Sequence, residues 1–495
     1  MRNKSSQLHS AQQFEISLAV IGAGPGGLAA ALAAAQRNIR VTVFEKSNKT
    51  GGALNGGKGP FGVETIQQRR LQRVVTREEA FRYFMDYSHW QANPELVAAY
   101  VNKSPDTIRW LESLGCEFES LNAYVEGGNH TWHVYDDSEH GICDRILAEA
   151  KRLGVEVRLN CPAVGLIVEK GAVRGLIAEQ DGEKIEVRAG AVVISTGGFG
   201  NNSEMVAKYT PYKLGETVWA MTSNCDGDGI NMAWSAGGSR GFMFYDAFAG
   251  LAHPTLGGPG GFCSELRAFR QPNLLVNCYG RRFTDETAMC NGAYGINVVR
   301  QQPGTCAYIL LTDKIVETYR HDGFAVALPS RDPYTNEYSD WPDGFEEKMQ
   351  EVISKRLSQD LYMADSINEL AAQMGVDESQ LTATIEEYNN YCDAGEDPVF
   401  HKRRGYLKPI RGEHFYAARI CANSYATLGG ININSKAEVV NDEMLPIPGL
   451  YAAGNDANTI CIDTYCFGMP GHTSGFAYNT GRLAGENAAE YIKTL

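Results

Sequence analysis

The chain has 495 residues, 43% hydrophobic, 21% charged and 10% aromatic, a globular mix that excludes disordered, collagen-like and coiled-coil readings. Forty-five basic against 59 acidic residues leave a net charge of −14, which disfavours nucleic acid and anionic lipid as partners. The 12 cysteines form no C-x-x-C pair, so zinc, iron–sulfur and haem spacings are missing, no metal site is expected, and scattered thiols fit a reducing cytoplasm.

Residues 16–35, ISLAVIGAGPGGLAAALAAA, approach the length of a membrane span, but four glycines and Pro25 interrupt them. No basic stretch or twin arginine precedes them, so the expectation is an unexported, cytoplasmic protein with no membrane span. The segment instead divides into a strand (Ile16–Ile21), a turn (Gly22-Ala23-Gly24-Pro25-Gly26-Gly27) and a helix (Leu28–Gln36). A second strand, Ile39–Phe44, ends at Glu45 and completes a βαβ unit.

Further along, Thr76-x-x-Glu79 reads as a capping box, and Asn93-Pro94 and Ser104-Pro105 as two separate helix starts. The helix Ile142–Leu153 leads into strands Val155–Leu159, Val164–Val168 and Val173–Ala178. A turn at Asp181-Gly182 then precedes strands Ile185–Arg188 and Ala191–Ser195. Beyond Asp246 the pattern loosens into Gly/Pro-rich loops with amphipathic helices at Ile367–Met374 and Glu378–Cys392. Regular signal returns near Leu428, and the strand Leu450–Ala453 and helix Gly475–Ile492 close the chain. The expected fold is α/β and discontinuous. A nucleotide domain takes residues 1–246 and 427–495, and an α+β cap takes residues 247–426.

Gly22-x-Gly24-x-x-Gly27 between a strand and a helix is the context in which this spacing binds a dinucleotide. The turn admits pyrophosphate to the backbone, the helix N-terminus offers free N–H groups, and Glu45 suits a ribose hydroxyl. Gly51-Gly52 supplies a second close approach. Thr196-Gly197-Gly198-Phe199-Gly200, Asp226-Gly-Asp228-Gly229 and Gly449-Leu-Tyr451-Ala-Ala-Gly454-Asn455 follow in order. This ordered set resembles the flavoprotein family that contains fumarate reductase, the succinate dehydrogenase flavoprotein, urocanate reductase and 3-ketosteroid dehydrogenases.

The resemblance implies FAD along a Rossmann-like domain, with a cap over its ring. Matched by position, Gly22, Ala23, Gly24, Gly26 and Gly27 would hold pyrophosphate, and Glu45 and Lys46 the adenosine ribose. Gly51, Gly52 and Ala53 would line the flavin side, and Ala163 would touch adenine. Thr196, Gly197 and Asp228 would complete the sleeve, and Gly454 and Asn455 would meet the ribityl chain. Gly471-His472-Thr473-Ser474 would aim N–H groups at the flavin. No histidine lies between Gly51 and Gly59 where relatives attach flavin covalently, so non-covalent FAD is implied.

The dicarboxylate determinants of the fumarate reductases are absent. Cys290, Ala426 and Met469 stand where the family pattern has an arginine, a histidine and an arginine. Two carboxylates without guanidinium partners would lose several kcal/mol of binding, roughly. For the proton donor, similarity to ketosteroid dehydrogenases points to Tyr465, with Tyr425, Tyr294 and His472 as rivals and His253 for a substrate oxygen. Packing roles stay open for each. Tyr245, Phe248, Phe262 and Phe269 suggest a bulky cyclic or aromatic substrate, while Arg267 and Arg270 could still hold one carboxylate. Arg282 and Glu286 should pair with each other and support the cap.

The function implied is an FAD-dependent oxidoreductase that reduces an activated alkene (enone or enoate) by hydride transfer from flavin N5. Electrons would come from a separate reductase, a quinone or a soluble carrier. Three alternatives remain: a 3-ketosteroid-type dehydrogenase, a fumarate-type reductase using Arg267 or Arg270, and a flavin-binding electron-transfer subunit or inactive homologue.

Overall fold

The computed structural model describes residues 13–53, 59–118, 120–125, 127–135, 140–219, 224–251, 264–324, 344–355 and 360–495. Its main sheet is built on five parallel strands in the order Pro446–Ala452, Glu183–Ile194, Gln13–Ile21, Val41–Phe44 and Glu156–Arg158. Glu438–Val440 adds an antiparallel edge. The pair Ala163–Glu169 and Ala172–Gln180 continues antiparallel from Glu183–Ile194, which is the expected meander. Val41–Phe44 is apolar but for Thr42 and wholly buried, as a parallel strand covered on both faces must be.

The cover on one face explains the run of alanines. Helix Pro25–Ala35 is buried from Gly26 onward, and the final helix, His472–Ile492, lies against it. A Cβ at Gly481 or Gly485 would overlap the carbonyl oxygens of Gly26 and Ala30, so only glycine lets these backbones approach so closely. The first and last helices are thereby locked together beside the sheet.

A second sheet runs Arg240–Leu251, Phe415–Ile431, Ala307–Thr312 and Leu275–Val276, with Leu361–Ala364 and Thr217–Trp219 also pairing to the long strand Phe415–Ile431. The expected junctions at 246/247 and 426/427 therefore fall inside single strands. Strand Glu183–Ile194 joins two segments that the sequence reading separated, because its pairing with Gln13–Ile21 runs unbroken past Gly190.

Ser104-Pro105 does not start a helix; one helix runs from Pro94 to Ser113. Pro105 cannot donate to the carbonyl of Val101, and the Ser104 hydroxyl donates to that oxygen instead at 2.9 Å. The Arg282–Glu286 pair forms as expected, at 2.8 and 2.9 Å, within a buried group that adds Asp397 and Lys402. Among the described residues no helix is long and apolar enough to cross a membrane. Eleven described cysteines are not in disulfides.

Candidate active site

The strand Gln13–Ile21 delivers the chain into the glycine turn at the carboxyl edge of the main sheet. Gly22 has φ +98°, and a Cβ there would overlap the Ser195 carbonyl on the adjacent strand end. The turn and the first residues of helix Pro25–Ala35 thus open directly on a long cleft. Gly22, Gly24, Pro25, Gly26, Glu45, Gly52 and Ala53 line it, together with Ser195, Thr196, Gly197, Gly454, Asn455, Gly471, Thr473 and Ser474. The space between these residues amounts to about 1290 Å³, open solvent included. The N-termini of two helices, Pro25–Ala35 and His472–Ile492, contribute to the cleft lining, which brings partial positive charge to a bound anion.

Local hydrogen bonds hold this wall. Glu45 accepts from the Ala23 and Ser47 N–H groups at 2.8 Å each, and the Gly51 N–H donates to Ala23 at 2.9 Å, pinning the second glycine turn on the first. Asp456, which the sequence reading missed, is fully buried. It accepts from the Thr196 N–H and, at 2.9 Å, from the Gly198 N–H, and the Thr196 hydroxyl reaches it at 3.0 Å. Burial raises its pKa while these donors oppose the rise. Its position directly after Gly454-Asn455, across from a Thr-Gly-Gly turn, was the available signal.

The residues fit FAD. Asn455 Oδ1 and Thr473 Oγ1 lie in the cleft wall, buried and with no hydrogen-bond partner, a costly state that a polar ligand would relieve. The Ser474 hydroxyl is already engaged with the Gly59 carbonyl at 2.6 Å, so there the backbone rather than the hydroxyl faces the ligand. Gly27, Ala23 and Gly51 shape the turns from behind the surface. Lys46 and Asp228 do not line the cleft: the Lys46 ammonium bonds Asp226 at 2.7 Å and Asp228 at 2.8 Å, closing a bridge at its margin. The two carboxylates hold the Lys46 pKa above its usual value against the opposing effect of burial. Ala163 and Asp228 instead border a separate hollow between Pro162–Val168 and the helix Asp228–Ser235.

The far end of the cleft is aromatic. Tyr124, Trp132, Tyr465 and Phe467 line it, and with Phe248 they form an apolar cluster apart from the main core. Tyr124 stacks on Phe467 at 4.2 Å. Among the described lining residues Glu45 alone is charged. Tyr124, Trp132 and Phe467 were not legible as site residues, since they meet only through folding.

Tyr465 is the expected donor candidate that reaches this space. Its ring stacks on His472 at 4.1 Å, and its carbonyl accepts the Tyr87 hydroxyl at 2.8 Å. His472, a rival, is set behind Tyr465: it is fully buried, desolvation lowers its pKa to about 3, and Cys461 Sγ lies 3.6 Å from Nε2. Tyr294 stacks on Tyr87, is 44% exposed and is not among the cleft's lining residues. Tyr425 lies on strand Phe415–Ile431, its side chain outside the described groups, and His253 and Phe262 lie outside the described residues. Of the other aromatic positions expected near substrate, Tyr245 and Phe269 are absorbed in the main core. Arg267 and Arg270 sit half-buried in the turn Ser264–Arg270, outside the cleft lining.

A parallel sheet whose glycine turn and two helix N-termini enclose one long cleft, with aromatic walls at its far end, defines a dinucleotide-dependent flavoprotein. The family model described as FAD binding domain matches residues 17–467, and the chain belongs to that family. FAD is its cofactor, and it is an oxidoreductase acting on carbon–carbon double bonds or their saturated counterparts. The chain is 31% identical over 492 residues to the vinyl phenol reductase of Lactiplantibacillus plantarum, covering 97% of this chain and 98% of that one. It is 26% identical to the fumarate reductase (cytochrome) of Shewanella frigidimarina, covering 99% and 80%. The 3-ketosteroid Δ1-dehydrogenase of Sterolibacterium denitrificans superposes with a TM-score of 0.77 at 19% identity, covering 96% of this chain and 99% of that one. That last likeness establishes the shared fold.

Proposed function

We propose that this chain reduces the carbon–carbon double bond of a small aromatic alkene, with vinyl phenols as the substrate class, in the cytoplasm and with non-covalent FAD. The observation that carries this reading is the aromatic end of the cleft, where Tyr124, Trp132, Tyr465 and Phe467 offer flat apolar surface and no described cation. Such walls favour an aryl ring by stacking, whereas a dicarboxylate would lie unpaired. Similarity to a vinyl phenol reductase points the same way.

Tyr465 is preorganised to act as the acid. The stack on a neutral imidazole and the Tyr87 hydrogen bond to its carbonyl fix ring and backbone. Its phenol would give a proton to the terminal carbon of the vinyl group. The π bond breaks, a C–H bond forms, and the charge left at the benzylic carbon spreads into the substrate ring. Solvent then returns the proton to Tyr465. When bound, FAD supplies the hydride that completes the addition. Glu45, Asn455, Thr473 and the N–H groups of the two helix starts would hold the cofactor, and the buried aromatic cluster keeps water from the reacting carbons.

The test is anaerobic turnover of FAD-loaded protein with reduced methyl viologen, comparing 4-vinylphenol with fumarate. The expected result is a kcat/KM at least about 100-fold higher for the aryl alkene. Faster fumarate reduction, or dye-linked oxidation of a saturated cyclic ketone at a comparable rate, overturns the reading. Tyr465→Phe should lower kcat by about 10²-fold or more, with FAD affinity retained.

A further inference from the structure

On the reading above, every alkene reduced draws two electrons from outside the chain. The segment Ile66–Arg77 holds four arginines, Arg69, Arg70, Arg73 and Arg77, and no acidic residue, in a chain of net charge −14. All four are exposed. Arg77 reaches Glu64 at 3.3 Å, while Arg69, Arg70 and Arg73 make no ion pair among the described residues. Ile66, Leu71 and Val74 stand among them, 48%, 53% and 46% exposed. Guanidinium groups interleaved with uncovered apolar side chains are the composition of a protein-binding surface.

This surface backs onto the reactive end of the cleft. Gln68, buried on the inner side of the helix Ile66–Arg70, donates to the carbonyls of Gly62 at 3.1 Å and His130 at 2.9 Å. Thr65 Oγ1 meets His133 Nε2 at 2.7 Å. Phe61 bridges to Trp132, and both Trp132 and Gly59 line the cleft. One layer of extended backbone, with strands ~5 Å apart, therefore lies between the arginine surface and the aromatic end.

We propose that the Ile66–Arg77 surface docks a small acidic electron-carrier protein that delivers one electron per encounter. Two encounters supply two electrons, each carrier leaves oxidised by one, and two protons taken ultimately from solvent complete the addition across the C=C bond. Charge complementarity selects this occupant over a membrane. A small carrier covers only the patch, where fields fade beyond a Debye length of ~8 Å, whereas an anionic bilayer confronts the net negative charge of the whole chain.

The test uses FAD-loaded protein and reduced plant-type [2Fe–2S] ferredoxin as the acidic carrier. Stopped-flow spectroscopy follows flavin bleaching, and calorimetry follows complex formation at low ionic strength. The triple variant R69E/R70E/R73E should slow ferredoxin-driven bleaching at least tenfold and weaken binding in proportion. Raising salt to 0.5 M should erase the difference, and methyl viologen-driven alkene reduction should stay unchanged. R69Q/R70Q/R73Q, with a smaller effect in the same direction, guards against misfolding of the charge-reversed chain. Unchanged carrier binding in both variants, or native protein that neither binds ferredoxin nor is bleached by it, overturns the proposal. So does loss of binding to phosphatidylglycerol vesicles as the only effect of the variants. Failure of dye-driven alkene reduction in native protein would instead overturn the functional reading and leave the docking measurement standing.

Discussion

Asp456 shows how much of the site depends on one buried carboxylate. It collects N–H groups from Thr196 and Gly198 and so sets the path of the backbone at Thr196 and Gly197, which lines the cleft. Asp456→Asn keeps one acceptor oxygen but introduces donors facing donors, and should weaken FAD binding by at least about tenfold in a fluorescence titration. His133 and His472 carry a different signature. Desolvation lowers their pKa values from 6.5 to about 4 and about 3. The unfolded chain takes up both protons near pH 6.5 while the folded chain refuses them, so stability falls as pH drops from there, by up to ~1.4 kcal/mol per unit and histidine. Urea midpoints between pH 7.5 and 5.0 should fall steeply, and His472→Phe should flatten that dependence. The glycine turn, Glu45 and Tyr465 all line the cleft, and the first two stand in a fixed strand–turn–helix context that is readable in sequence. The ion pairs of Lys46 with Asp226 and Asp228 were not legible, because no local pattern reveals that opposite charges distant in sequence meet.

Among elements, the buried ions of the second sheet's surroundings join the turn Glu286–Cys290 to Asp397, just past the helix Glu378–Ala394. Burial works against the Asp397 carboxylate, yet Arg282 and the backbone N–H groups of Phe400 and Val399 hold its pKa at about 2. Arg282→Met would leave Asp397 with backbone donors alone and Glu286 with Lys402 as its one described cation, and should cost about 3 kcal/mol in guanidinium unfolding. The pair itself was visible as i, i+4 spacing; its further partners were not. Element boundaries failed in physically intelligible ways. Ser104-Pro105 carries every local mark of a helix start, but the Ser104 hydroxyl replaces the missing backbone donor and the helix continues. Tyr124, Trp132 and Phe467 were illegible as partners of Phe248 and Tyr465 because their segments share no periodicity.

At the scale of the molecule, the discontinuous plan was legible from motif order alone. The sheet that carries the glycine turn recruits Pro446–Ala452 from the far end of the chain. What the order of motifs could not convey is the intimacy of the two terminal helices. Replacing Gly485 with leucine would force the backbone of Ala30 away from the final helix and splay the cleft. The expected outcome is loss of FAD on gel filtration, with the second sheet's share of the circular dichroism retained. Because the cleft draws on both the turn at Gly22 and the helix start at Gly471, a nascent polypeptide still short of residue 472 has an incomplete cradle. Loading with the yellow cofactor must then wait until the ribosome has released those last turns, and translation that stops early yields chains that stay colourless.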